Sequence, residues 1–137
     1  MTGRPDPPDA ILETAIYADD LAAAEAFYAG LLGLPVVARE AGRHLFLRCG
    51  ASMLLVFRPS GAERPPPPDA PYPVPPHGAR GPGHVCFAAT AAEIARWAEC
   101  LPAGGHPIEA DFRWPTGARS IYVRDPAGNS VEFAEPR

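Results

Sequence analysis

The sequence predicts an α+β fold built from two βαβββ modules, with helices outside and a cleft between the sheets. Three observations carry this. The order strand–helix–strand–strand–strand is legible twice along the chain. A short echo follows each helix, Gly33-Leu34-Pro35-Val36 and Gly105-His106-Pro107-Ile108. A Pro-rich stretch without periodicity separates the copies. The expected boundaries are 11–58 for the first module, 59–83 for the linker and 84–134 for the second, together one domain.

Each element has a local reason. Residues 1–10 are rich in Pro and Asp and read as a loose tail. Ile11–Ala18 reads as a strand. Asp19-Asp20 then offers an acidic N-cap. Leu21, Ala24, Phe27, Tyr28 and Leu31 recur at helical spacing, and Gly33 suits the position just past the helix end. Strands are expected at Pro35–Arg39, His44–Cys49 and Ser52–Phe57, the last two forming a hairpin around Gly50-Ala51. Residues 59–83 hold the run Pro65–Pro68 and further prolines to Pro82, so a stiff, partly extended path is expected. At that length it either links the halves or covers a site. In the second module His84–Ala89 is a strand and Thr90-Ala91-Ala92-Glu93 a capping box. Ile94, Trp97, Ala98 and Leu101 make the apolar helical face, which Pro102 and Gly104-Gly105 end. Strands follow at Pro107–Asp111, Arg119–Arg124 and Ser130–Ala134, the last two joined by Asp125-Pro126-Ala127-Gly128-Asn129.

Composition narrows the function. Of 137 residues 47% are hydrophobic and 20% charged, an ordinary globular balance. The net charge of −4 and the lack of a basic patch argue against nucleic acid. No apolar run approaches the ~20 residues of a membrane span, and Met1–Pro8 has no apolar segment of the kind a signal peptide needs. All 12 basic residues are Arg, a bias read as genomic base composition. Cys49, Cys86 and Cys100 show neither CxxC nor zinc-finger spacing and read as reduced thiols of a cytoplasmic protein.

Strand parity then selects candidates. Alternate side chains share a face. If Ile16, Val85, Phe87, Val131 and Phe133 pack on helices, then Glu13, His84 and Glu132 all look the other way, into the cleft. Glu13 and His84 begin equivalent strands of the two halves, and the equivalent of Glu132 counts out as Leu54. Two carboxylates and an imidazole suit a divalent cation such as Zn, Mn, Fe(II), Co or Ni. The structural alternatives are a surface carboxylate for Glu13, a core histidine for His84, and an ion pair of Glu132 with Arg124 or Arg48. Tyr17 shares parity with Glu13. Arg48 and Arg124 could hold an anion as a pair, Tyr122 lies between Ser120 and Arg124, and Trp114 could wall the cleft. His77, in the loop before His84, could fold over as a general acid or base.

At these residues the chain resembles the vicinal oxygen chelate superfamily of glyoxalases, bleomycin-resistance proteins and extradiol dioxygenases. The matching segments are Ile11–Leu21, Phe27-Tyr28 with Leu32-Gly33-Leu34, Gly83–Phe87, and Tyr122–Phe133. The resemblance implies an eight-stranded open, partly barrel-like mixed sheet around the cleft, and metal ligands at Glu13, His84 and Glu132. It implies a metal-dependent lyase or isomerase acting on a small oxygenated molecule, with Glu13 or Glu132 moving a proton, and a homodimer. Many members have His where this chain has Glu13, which counts against the iron dioxygenases, and Leu54 counts against a four-ligand glyoxalase centre. The competing reading is a binding protein that sequesters an antibiotic or metabolite.

Overall fold

The computed structural model describes residues 3–136; Met1 and Thr2, the start of the expected tail, lie outside it, as does Arg137. The first module runs β1 (Glu13–Tyr17), α1 (Leu21–Glu25), β2 (Val36–Glu40), β3 (His44–Cys49) and β4 (Ser52–Phe57). A short α2 (Pro59–Ala62) opens the linker. The second module runs β5 (His84–Ala88), α3 (Ala91–Ala103), β6 (Ala110–Arg113), β7 (Arg119–Arg124) and β8 (Ser130–Ala134).

The strands form two open four-stranded sheets, not closed into a barrel. Sheet A has the order β1-β4-β3-β2 and sheet B the order β5-β8-β7-β6. Each is mixed, since β1 runs parallel to β4 and β5 parallel to β8, while the remaining pairs are antiparallel. One core joins the modules: Ile16, Phe27 and Leu47 cluster with Ile94, Ile121 and Val131.

Most caps act as the sequence suggests. Asp20 accepts from the Ala23 N–H at 3.0 Å, and the Thr90–Glu93 box is closed. Gly50 turns the β3–β4 hairpin at φ 57°, where a side chain would be strained. α1 widens into π-helical turns over Ala26–Leu31, and the Leu32 N–H reaches back to the Phe27 carbonyl.

Two elements differ from expectation. β6 starts at Ala110, not Pro107. Pro107 has no N–H to give a ladder, and the His106 ring turns away to Phe27, 4.6 Å between centroids. The pairing instead extends to Arg113, supported by the Asp111–Arg119 ion pair at 2.8 and 2.9 Å. α2 was also not anticipated. Pro59 suits a first helical position, and Gly61 lets this turn sit against the β2–β3 turn, where a Cβ would come within 2.5 Å of the Gly42 carbonyl oxygen.

The modules are locked by a buried polar network. The Tyr28 hydroxyl donates to Asp125 Oδ2 at 2.7 Å, and Asn129 Nδ2 donates to the same oxygen at 2.9 Å. Asn129 Nδ2 also reaches the Tyr17 carbonyl at 3.0 Å, and its Oδ1 accepts from the Gly83 N–H at 2.7 Å. One turn of sheet B therefore holds the end of β1 and the start of β5. Burial, then the Asp125 charge and hydrogen bond, push the Tyr28 pKa far up, so this hydroxyl stays a donor. Asn129 is 1% exposed, so Asn129→Ala would open a polar hole in the core, removing a donor from the buried Asp125 carboxylate and leaving the part-buried Tyr17 carbonyl and Gly83 N–H without their partners. The expected cost is about 2–3 kcal/mol, read from urea unfolding, and Tyr28→Phe should cost less.

Candidate functional site

Sheet B gathers its polar side chains on the face turned away from α3. Cys86 and Tyr122 stand directly across from Glu132 on the flanking strands. Glu132 is buried at 4% exposure, and its Oε1 lies 3.3 Å from His84 Nε2. Its other oxygen accepts from Ser120 Oγ at 2.7 Å, and that hydroxyl accepts from Trp114 Nε1–H at 2.8 Å. Burial works to raise the Glu132 pKa. Hydrogen bonds from Ser120, Tyr122 and Cys86, with the His84 charge, outweigh it and hold the carboxyl below its ordinary value.

The His84 tautomer follows from its neighbour. Nδ1 lies 3.0 Å from the Ser130 carbonyl, which can only accept, so Nδ1 carries the hydrogen. Nε2 then faces the Glu132 carboxylate oxygen at 3.3 Å. Two electron-rich atoms facing each other call for a proton or a cation between them.

Sheet A presents a different face. Glu13, Ala15 and Tyr17 line a cleft with Phe46, Leu55 and Phe57, and residues 64–77 lie over it. The linker therefore covers a face as well as joining the modules. Its ends are clasped by a two-pronged Glu63–Arg80 pair at 2.8 and 2.9 Å. His77 is brought in against β1, with Nδ1 2.8 Å from the Tyr17 hydroxyl and its ring edge-on to Phe57 at 4.4 Å.

The predicted residues are thus divided between two faces. His84, Glu132 and Tyr122 meet on sheet B, with Trp114 behind them through Ser120. Glu13, Tyr17 and His77 share the sheet A cleft. Among the described residues no three His, Cys, Asp or Glu side chains gather closely enough to hold a metal ion, so one chain does not bring Glu13 to the His84–Glu132 pair.

Three expectations change. Leu54 is a core residue, 2% exposed, and Leu55 occupies the position equivalent to Glu132. Phe46 faces Leu55 as Tyr122 faces Glu132, because β4 carries one more residue at its start than β8. Arg124 is taken by Glu109 at 2.7 and 3.2 Å and by the Gly128 carbonyl, so it makes no anion-binding pair with the exposed Arg48. Glu132 pairs with neither arginine but with His84. Sequence reasoning left Ser120 and Cys86 out of the site, although each shares strand parity with a residue it included.

Two duplicated βαβββ modules, each keeping one sheet face clear of its helix, define a paired-module scaffold with chemistry confined to those faces. The chain belongs to the Glyoxalase/Bleomycin resistance protein/Dioxygenase superfamily, whose family model matches residues 10–133. Among solved structures it is similar to a lactoylglutathione lyase from Agrobacterium tumefaciens, with 50% identity over 95% of this chain and 96% of that one and a TM-score of 0.88. A glyoxalase/bleomycin resistance protein/dioxygenase from Nocardioides shares the fold at 21% identity, covering 96% of this chain and 85% of that one, with a TM-score of 0.71. A glyoxalase family protein from Bacillus anthracis does so at 17% identity, covering 98% and 100%, also with a TM-score of 0.71. A comparison with curated proteins gives no match.

The lowered Glu132 pKa has a pH consequence in the metal-free protein. Its stabilisation is present above the ordinary value of 4.5 and is lost as pH falls through the folded-state value. Ser120→Ala removes one of the hydrogen bonds that depress it. Carbon-13 titration of the Glu132 carboxyl should therefore show a higher midpoint in that variant than in the parent.

Proposed function

We propose that the protein is a glyoxalase-type lyase that works as a homodimer with a divalent cation. His84 and Glu132 of one copy and Glu13 of the other would hold the cation. The observation that carries this is His84 Nε2 lying 3.3 Å from Glu132 Oε1, with each residue fixed from behind by Ser130 and Ser120. Such outward-facing donors with their far sides tied down suit a metal ligand pair. Two carboxylates and an imidazole match Zn, Mn, Fe, Co or Ni. Glu13 is exposed and free to meet a second copy. Phe112 and Leu12, exposed at 40% and 74%, give that contact apolar surface.

The 50% identical lactoylglutathione lyase supports the same reaction class here, an internal proton transfer on a thiol adduct of a small dicarbonyl. When bound, the cation would act as a Lewis acid toward the substrate's adjacent oxygens. The chain's own part is the proton. A carboxylate, Glu132 through Oε1 or Glu13, takes it from the carbon bearing the hydroxyl and returns it to the neighbouring carbon, while the hydroxyl hydrogen passes to the neighbouring oxygen, so the adduct isomerises with nothing gained or lost. Ser120 keeps Oε2 occupied, so Oε1 would both face the cation and, on leaving it, take the proton. Tyr122, stacked 6.3 Å from His84, lines the same face.

Elemental analysis after dialysis should find metal in the parent and none in Glu132→Ala; no metal in either would favour the sequestering protein instead. Glu132→Gln should lower thioester formation from methylglyoxal and glutathione by about 10²–10⁴-fold.

The shared site has its own signature. Glu13→Ala and His84→Ala should each be inactive. Unfolded and refolded together in equal amounts, they should recover about a quarter of parental activity, since about half the dimers are mixed and each holds one intact site. No recovery would place the site within one chain.

A further inference from the structure

The duplicated modules carry opposite chemistry at matching positions. Where sheet B has Cys86, Tyr122 and Glu132 around one point, sheet A has Ala15, Phe46 and Leu55. The sheet A set floors a cleft of about 1170 Å³, roofed by Pro66, Ala70 and Pro76. That volume is ample for a small molecule. Two acids, Glu13 and Glu40, and two arginines, Arg43 and Arg64, stand among the lining residues, so the charges balance. His44 stacks flat on Phe46 at 4.0 Å, and burial holds its pKa below the ordinary value despite Glu40, so it adds no charge near neutral pH.

Polarity returns at one end, where Tyr17 and His77 are hydrogen-bonded to each other and to no other side chain among the described residues. If the Tyr17 hydroxyl donates to Nδ1, then Nε2–H remains a donor and the Tyr17 oxygen an acceptor. If Nδ1–H donates, the Tyr17 hydroxyl remains a donor and Nε2 an acceptor. Either way the pair offers one donor and one acceptor. Glu13 stands four residues from Tyr17 on the same strand face, about 13 Å along it.

We propose that this cleft binds an uncharged, ring-sized apolar body bearing one hydroxyl, with the ring on Ala15, Phe46 and Leu55 and the hydroxyl on the Tyr17–His77 pair. This ligand is distinct from the thiol adduct of the enzymatic reading above. Its binding does not rest on that reading.

The test is an NMR titration of the metal-free protein with p-cresol and with toluene, which differ by one hydroxyl. p-Cresol should bind saturably, with shifts at Ala15, Leu55, Phe57 and His77, and toluene about fivefold more weakly. Ala15→Trp, at an exposed position, fills the cleft and should abolish both. The double variant Tyr17→Phe/His77→Leu should bind the two equally. His84→Ala should bind p-cresol like the parent, which separates this assignment from the metal reading. No saturable binding, shifts confined to sheet B, survival of binding in Ala15→Trp, a preference kept in the double variant, or loss of binding in His84→Ala would each overturn it.

Discussion

The whole arrangement depends on one buried turn. Asp125 and Asn129 are nearly inaccessible, and their side chains connect the helix of the first module, the end of β1 and the residue before β5. A polar group in a core is tolerated only when its hydrogen bonds are made, and each bond also fixes a direction. Asn129 bonds the Tyr17 carbonyl and the Gly83 N–H at once, so the end of β1 and the start of β5 have one permitted separation. That separation decides where the two clear faces point. Apolar packing alone would hold the modules together but tolerate slippage between them.

Within that frame the modules have diverged one face at a time. The helix-facing sides remain alike, with Leu47, Leu54 and Val56 answering Val123, Val131 and Phe133 in a shared core. The clear faces share only their register. Because strand parity separates the two sides, substitution on one leaves packing on the other nearly untouched. Sheet B spent that freedom on a hydrogen-bonded carboxylate. Sheet A spent it on aromatic rings and a covering segment.

Much of this was legible in the sequence. Parity put Glu13, Tyr17, His84 and Glu132 on the sides of their strands away from the helices, because an alternating strand with a buried side has only one register that works, but it read those sides as one cleft where the structure has two faces. The capping box and the Gly50 hairpin were local enough to read directly. Leu54 was misplaced because the hairpins differ: Gly50-Ala51 closes tightly after Cys49, whereas five residues separate Arg124 from Ser130, and counting from the strand starts slips by one. The path of residues 64–77 was illegible, since polyproline segments have no internal hydrogen bonds and no periodicity. Which cleft residues would meet was equally hidden. Parity assigns a face, not the distance between the faces of two sheets.

That last gap carries a physical point about the fold. A single chain presents two sheet faces that the buried turn holds apart, one acidic and hydrogen-bonded, the other apolar and roofed. Rotating a module to close them on each other would break the Tyr28, Tyr17 and Gly83 bonds, exposing or stranding several buried polar groups at roughly 1–3 kcal/mol each. In the homodimer proposed above, a second copy would instead bring its exposed Glu13 to sheet B with no bond of the buried turn broken. The bonds that hold the two faces apart are therefore the ones that set closure within one chain against the association proposed above.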